Sequence, residues 1–258
     1  MVTTEVGDLH IITDGLVIKE QNVGESDRLI TVLTSKYGVI RAFATGAKSI
    51  KNKNLAGTQL LAYSDFVFYK GKDAYNVNSA IEKEVFFGLR SDIDNLSTAF
   101  YLADLVGEFA PETADSEELL KLLLNSIYLL SKKKKTAPFI KSLVELRALS
   151  IAGYMPDLVA CSKCGEFEAE TVYFNIKSGT FCCAGCGHPD LSQYPISIST
   201  LTAMRHIIYS DAKKIYDFEL TPDAEKELAT VAEAFALEHT GRHFKTLDFL
   251  KSLSIPSI

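Results

Sequence analysis

Hydrophobic and polar positions alternate, or form short apolar runs, through the first ninety residues of the chain. Alternation with a period of two puts every second side chain on the same face, which is the pattern of a half-buried β-strand. Val, Ile, Phe and Tyr are frequent in these runs, and Gly, Ser, Asp and Asn separate them. The predicted strands are Leu9–Val23, Arg28–Thr34, Val39–Thr45, Gln59–Tyr69 and Tyr75–Phe87.

Short polar segments supply the connections between these strands. Gly24–Asp27 and Lys36–Gly38 have the composition of turns, and the longer polar segment Lys48–Gly57 precedes the fourth strand. Five short strands joined in this way predict a small β-barrel. The OB-fold, a five-stranded Greek-key barrel, has about this size, although other small barrels share the strand count.

Beyond Asp92 the apolar spacing changes to the i, i+3, i+4 pattern of amphipathic helices. Local signals mark several helix ends: Ser116 is a predicted N-cap, Pro138 stands at a first helical position, and Gly241 follows a last turn. The predicted helical segments are 96–110, 117–130, 138–149, 199–209, 221–239 and 244–253. The sequence therefore predicts an α+β protein in which a β module precedes an α module.

A chain of 258 residues, 47% of them hydrophobic, is long enough for one large or two ordinary globular domains. We expect a barrel domain at 1–88 and a helical domain at 89–258, with a cysteine-rich insertion at about 157–192. The N-terminal residues lack the basic and apolar regions of a targeting sequence, and no apolar run is long enough to span a membrane. We therefore expect a cytoplasmic protein that does not bind membranes.

Positive charge is concentrated in one part of a chain whose formal net charge is −6. Seven basic residues and only one acidic residue, Asp65, lie between Lys36 and Lys72. Lys and Arg bind nucleic acids by displacing counterions from phosphates, so a local cluster matters more than net charge. The predicted phosphate contacts are Arg41, Lys48, Lys51 and Lys53.

Other interpretations of these residues stay open. A basic loop is also a common solvated surface feature, and Lys132–Lys135 is a second cluster that the dipole of a helix C-terminus would favour. Aromatic side chains of a barrel can stack on bases, although strand aromatics usually face the core. The candidates for such stacking are Phe43, Tyr63, Phe66 and Tyr75.

Two Cys-x-x-Cys pairs, Cys161 with Cys164 and Cys183 with Cys186, are separated by 18 residues. This spacing is typical of a structural zinc ribbon, since each turn directs two thiolates toward one point and four sulfurs complete a tetrahedron. Four thiolates leave no open coordination position, so the sequence predicts one structural zinc ion. The intervening residues predict a β-hairpin that carries the second pair.

Two alternatives stay open for this site. A single Cys-x-x-Cys pair can be redox-active, although no βαβ pattern surrounds either pair here. Cys182 or His188 could replace one ligand; we favour Cys183 because it alone forms a Cys-x-x-Cys pair with Cys186.

Motifs of common enzyme classes are absent from the sequence, including the phosphate-binding GxxxxGK[ST], the zinc-protease HExxH and the hydrolase GxSxG. The five histidines do not cluster with a cysteine nucleophile. We therefore expect a protein without a catalytic centre.

Three stretches resemble signatures of the RecO family of bacterial recombination mediators, in the order and spacing of that family. They are Gly15–Ile18 with Gly24–Thr34 and Gly38, then Gly153–Leu158 with the two Cys-x-x-Cys pairs, and finally Gly241–Leu250. The resemblance covers essentially the whole chain. It implies an N-terminal OB-fold followed by an α-helical domain with an inserted four-cysteine zinc ribbon.

The same resemblance implies a function in DNA repair and homologous recombination. Members of this family bind single- and double-stranded DNA and anneal complementary strands without ATP. They cooperate with RecR and single-stranded-DNA-binding protein (SSB) in loading the recombinase RecA. The alternatives are a zinc-ribbon adaptor that binds only proteins and a Cys-x-x-Cys redox protein.

Overall fold

The computed structural model of the protein describes residues 10–71, 74–167, 170–186 and 192–253. The chain separates into two compact units. One comprises Met1–Asp92 and Ala110–Tyr128, and the other comprises Ile93–Phe109 and Leu129–Ile258. The domain boundaries expected from the sequence stay a prediction. Across the described ranges, no helix is both long enough and apolar enough to cross a membrane.

The first unit contains a closed five-stranded barrel in the order β1-β2-β3-β5-β4. All neighbouring strands pair antiparallel except β3 and β5, which pair parallel. This arrangement confirms the predicted OB-type barrel at the N-terminus. The strands are β1 (His10–Val23), β2 (Asp27–Thr34), β3 (Val39–Ala44), β4 (Tyr63–Lys70) and β5 (Tyr75–Glu84).

Strand β3 shows how the sequence pattern builds the barrel. Ile40, Ala42 and Ala44 are buried in the core, whereas Arg41 and Phe43 between them point outward. A shift of one residue would exchange these two sets, so the alternation fixes which side chains face solvent. The outward side chains of β3 consequently become available for binding.

The predicted fourth strand begins too early. Gln59–Ala62 is not a strand, because Leu61 has a positive φ of 63°. Both strand-like hydrogen bonds in this segment involve Val17, which accepts from Leu61 N–H at 2.9 Å and donates to the Ala62 carbonyl at 3.0 Å. The chain therefore makes a compact turn against β1 before β4 begins at Tyr63.

The predicted helices are confirmed with small shifts at their ends. Hydroxyl groups of three N-cap residues, Thr136, Ser197 and Thr221, accept hydrogen bonds from the first turns of the helices that follow. A short 3₁₀ helix, Phe87–Ser91, precedes the first of them. The α-helices are α1 (Ile93–Phe109), α2 (Glu117–Ser131), α3 (Ala137–Ile151), α4 (Ile198–Tyr209), α5 (Pro222–Thr240) and α6 (Lys245–Leu253).

The cysteine-rich segment forms a three-stranded antiparallel sheet in the order β7-β6-β8. The hairpin β6 (Thr171–Asn175) and β7 (Thr180–Cys183) confirms the sequence prediction, whereas β8 (Gln193–Ser197) was not predicted. Strand β8 contains Pro195, which lacks a backbone donor and is tolerated because β8 is an edge strand. Cys183 lies at the end of β7, and Cys161 and Cys164 lie in a turn beside this strand.

Candidate metal centre and nucleic-acid interface

The four cysteines of the two pairs come together in the second unit. The sulfur atoms of Cys161, Cys164, Cys183 and Cys186 all lie within 4.8 Å of one another. Four sulfurs bound at 2.3 Å to one tetrahedral zinc ion would be about 3.8 Å apart. The observed distance between Cys164 Sγ and Cys183 Sγ is 3.7 Å. The cluster could therefore hold a metal ion.

Backbone groups prepare one of these thiols for ionisation. Burial opposes the charged form of Cys161, but N–H groups of Cys183, Cys164 and Lys163 outweigh burial and lower the pKa of Cys161 to about 6. The bond from Cys183 N–H to Cys161 Sγ measures 3.3 Å. Side-chain hydrogen bonds with Cys164 and Cys183 instead favour the protonated form of Cys186 and raise its pKa to about 12. Ionisation of all four thiols requires a cation, because adjacent thiolates repel.

The structure distinguishes the two adjacent cysteines. Cys182 and Cys183 are successive residues of β7 and point to opposite faces of the sheet. Cys183 joins the sulfur cluster, whereas Cys182 is buried with its sulfur 3.2 Å from the hydroxyl of Ser162. The alternative ligand His188 lies outside the described residues.

An arginine of α4 holds the segment that carries the first cysteine pair. Arg205 donates hydrogen bonds to the carbonyl groups of Leu158 at 2.7 Å, Val159 at 3.0 Å and Phe167 at 3.1 Å. Its guanidinium group also lies 4.2 Å from the centre of the Phe167 ring. Arg205 could not be predicted from the sequence, because a lone arginine on a helix carries no signal of its distant partners.

A second candidate site is a groove of about 640 Å³ in the outer surface of the first unit. Its walls carry aromatic rings, and two cationic side chains, Arg41 and Lys70, line it as well. The aromatic residues of the groove are Tyr37, Phe43 and Tyr75. Aliphatic residues, among them Ile11, Leu29 and Val39, also line the groove, and Glu112 is the acidic residue of the lining.

The predicted DNA-contact residues fall into two sets. Arg41 projects from β3 into the groove, whereas Lys48, Lys51 and Lys53 lie on the loop that follows β3. Lys51 and Lys53 are exposed, and the ammonium group of Lys48 donates a 3.2 Å hydrogen bond to the Gly24 carbonyl. Lys72, the last residue of the basic segment, lies outside the described residues.

The candidate stacking residues also fall into two sets, one that lines the groove and one that does not. Phe43 and Tyr75 line the groove, but Phe66 is fully buried and packs at 5.0 Å against Phe68. Tyr63 donates a 2.6 Å hydrogen bond from its hydroxyl to Asp14. Tyr37 and Lys70 were not chosen from the sequence, since a turn residue and a strand-end residue meet only once the barrel closes.

Comparison with known proteins covers nearly the whole chain. Residues 9–85 match the family model "Recombination protein O N terminal", and residues 90–248 match "Recombination protein O C terminal". The chain belongs to the RecO family. A DNA repair protein RecO of Acetivibrio thermocellus is 37% identical over 95% of this chain and 97% of its own length. The RecO protein of Alkaliphilus metalliredigens is 31% identical over 94% of this chain and 99% of its own length. That of Caldicellulosiruptor saccharolyticus is 30% identical over 92% of this chain and 96% of its own length.

Membership of the RecO family gives the protein a role in DNA repair and recombination. The two family models meet between residues 85 and 90, after β5 and before α1. The barrel and most of the residues that line its groove thus fall in the N-terminal RecO region, whereas Glu112 of the groove and the cysteine cluster fall in the C-terminal one.

Proposed function

We propose that the protein binds single- and double-stranded DNA with its barrel and anneals complementary strands without ATP. It then helps to load RecA onto DNA coated with SSB, in cooperation with RecR. Membership of the RecO family supports this proposal, because relatives of similar length are DNA repair proteins. In this function the protein needs no catalytic centre of its own, and a cytoplasmic location stays the prediction made from the sequence.

The groove on the barrel is the observation that carries the proposal. Its volume of about 640 Å³ is large enough for a few unpaired bases. Tyr37 and Phe43 are 41% and 37% exposed, so their rings are free to stack on bases. Arg41 and Lys70 line the same groove, where their charges can contact the phosphates between stacked bases.

Annealing by this surface requires positioning and charge neutralisation, not bond chemistry. Two complementary strands repel each other through their phosphates, and a cationic surface lowers that repulsion. The net charge of −6 confines the attraction to the basic part of the chain. The loop lysines Lys51 and Lys53 extend the positive charge beyond the groove, because both are exposed.

Zinc is the metal that we propose for the four-cysteine cluster. Thiolates are soft ligands that favour zinc over Mg²⁺ or Ca²⁺, and the 3.7 Å sulfur distance fits its tetrahedral geometry. When bound, the ion stabilises the ribbon by joining the turn at Cys161–Cys164 to the one at Cys183–Cys186. Elemental analysis of the purified protein should give about one zinc per chain. A protein without bound metal whose thiols form a reversible disulfide would support the redox alternative instead.

A salt titration of binding to a single-stranded oligonucleotide tests the DNA proposal. The double variant Arg41→Ala/Lys70→Ala should bind more weakly than the wild type. The slope of log K against log salt concentration should become shallower by about 1.4, because each lost phosphate contact removes about 0.7. The rate of strand annealing should fall in parallel.

A matched control removes the same charge elsewhere. Lys213 and Lys245 are exposed residues of the helical unit, and the variant Lys213→Ala/Lys245→Ala should retain the wild-type slope. Equal slopes for both double variants would show that the groove does not bind DNA. If the wild-type protein does not bind oligonucleotides even at low salt concentration, this result would support the alternative function of an adaptor that binds only proteins.

A further inference from the structure

The loop between β3 and β4 is held in one conformation by specific hydrogen bonds. At its start, Gly46 N–H donates to the carboxylate of Asp27 at 2.7 Å and Lys48 N–H donates to the Ser26 carbonyl at 3.0 Å. Across its tip, the side-chain amide of Asn52 donates to the Thr45 carbonyl at 3.1 Å. A binding partner therefore need not order the loop tip, which lowers the entropic cost of association.

The far side of the loop is anchored to the barrel through Asn54. The buried side chain of Asn54 accepts a 3.0 Å hydrogen bond from Ala80 N–H of β5. Its backbone N–H donates to the side-chain carbonyl of Asn52 at 2.8 Å. Arg28 on β2 also donates to the Leu55 carbonyl at 3.3 Å. The loop tip is thus attached to the barrel on both sides.

Ile50 stands at this tip with 91% of its surface exposed. A single exposed aliphatic side chain is common on proteins and has no meaning by itself. Its surroundings distinguish it: Lys51 is its immediate neighbour, Lys53 follows two residues later, and both are exposed. A rigid loop thus presents one apolar side chain beside cations that attract a polyanion.

This combination fits the surface of a nucleic acid better than that of most proteins. Phosphates would contact the lysines, while the bases between those phosphates offer apolar faces to the aliphatic side chain. Proteins that bind the minor groove of duplex DNA frequently insert apolar side chains, Ile and Leu among them, between base steps. Unpaired bases are the cheaper target, since a duplex must first lose pairing and stacking.

We infer that Ile50 inserts between neighbouring bases of single-stranded DNA and opens their stack, while Lys51 and Lys53 hold the adjacent phosphates. This inference rests on the proposed DNA binding and adds a second contact to the groove. An unstacked base presents its pairing edge without its neighbours, which favours the first pairs with an incoming complementary strand. The wedge would therefore contribute to annealing rate as well as to affinity.

The test uses the full-length protein and a single-stranded oligonucleotide that carries 2-aminopurine between adenines. The fluorescence of this base is quenched by stacking, so the wild type at saturation should raise it. The variant Ile50→Ala should lose most of this increase and bind about three- to tenfold more weakly, as expected for a smaller aliphatic contact. Its salt dependence should equal that of the wild type, because no charge is removed.

Two control variants separate the wedge from other effects. Ile81 on β5 is 64% exposed, and Ile81→Ala should leave both fluorescence and affinity unchanged. The variant Lys51→Ala/Lys53→Ala should weaken binding and flatten the salt dependence, yet keep the fluorescence increase at saturation.

The possible failures are distinguishable. If the wild type does not bind the oligonucleotide, the proposed function itself fails. If the wild type binds but Ile50→Ala behaves like Ile81→Ala, DNA binding stands and the wedge is refuted. An increase of fluorescence seen only with duplex DNA would also overturn the inference.

Discussion

The hydroxyl group of Tyr101 on α1 donates a 2.8 Å hydrogen bond to the fully buried carboxylate of Glu145 on α3. The same carboxylate oxygen lies 2.8 Å from the ammonium group of Lys141, which also contacts Glu233 on α5 at 2.9 Å. Burial of these charges is unfavourable unless each has partners of good geometry. The contacts therefore connect three helices of the second unit through a buried polar cluster.

Removal of the Tyr101 hydroxyl should destabilise this unit. Tyr101→Phe preserves the ring that packs edge-on against Phe244, but it takes one donor from a buried carboxylate. The free energy of unfolding should fall by about 1–3 kcal/mol, measured by urea denaturation. Tyr69→Phe, on the exposed surface of β4, should change it by less than about 0.5 kcal/mol. Equal effects of the two substitutions would contradict the role of the Tyr101–Glu145 bond.

Gly38 should tolerate no side chain. Its φ is +65°, and a Cβ atom would lie 1.9 Å from the Pro111 carbonyl oxygen, which itself accepts a 2.9 Å hydrogen bond from Val39 N–H. Gly38→Ala should lower the free energy of unfolding by about 3 kcal/mol or more. Gly24→Ala is the matched control, since its φ is +58° with open space around the Cβ position. Gly24→Ala should lower the free energy of unfolding by about 1–2 kcal/mol, through conformational strain alone. A similar decrease for both variants would disprove the contact with Pro111.

Glu227 should make the stability of the second unit depend on acidity. Burial alone would raise its pKa, but Ser197 N–H at 2.9 Å and the hydroxyls of Thr200 and Ser197 outweigh burial and lower the pKa below the ordinary 4.5. The ionised carboxylate therefore stabilises the fold above about pH 4.5, and this contribution disappears as the pH falls through the lower folded-state pKa.

Unfolding measurements between pH 3 and pH 7 test this dependence. At neutral pH, Glu227→Gln should be less stable than the wild type by about 1 kcal/mol, and the difference should shrink with acidification. Glu219→Gln, at an exposed position, should show no such trend. A difference between Glu227→Gln and the wild type that stays constant down to pH 3 would refute the role of the charge.

The adjacent cysteines provide a matched test of metal binding. Cys183→Ser removes a sulfur from the cluster and should reduce the zinc content well below one ion per chain, whereas Cys182→Ser should retain the metal. Full zinc content in Cys183→Ser would exclude this residue as a ligand.

Removal of the metal from the wild type with a chelator should speed hydrogen exchange in β6 and β7 and leave the barrel strands protected, since the ion would stabilise the ribbon.

Local patterns were sufficient for most of the elements and for the cysteine cluster. The alternation after Gly38 predicted β3, and Pro138 and Gly241 marked the start of α3 and the end of α5. The two Cys-x-x-Cys pairs were enough to predict the cluster, because each metal-binding turn is formed by residues that are close in sequence. Strand β8 escaped prediction because a strand with Pro195 forms only when β6 is available as a partner.

Long-range packing decided the rest. Tyr37, Arg41, Lys70 and Tyr75 belong to separate segments, and only closure of the barrel brings them to one groove. Nothing in the local sequence around Glu145 marks it as fully buried, because a helical glutamate is normally solvated. The sequence by itself determined the family, most of the elements and the ligand spacing, which depend on near neighbours. The tertiary structure alone decided the groove and the buried ion pairs, because their residues are distant in sequence and meet only after the chain folds.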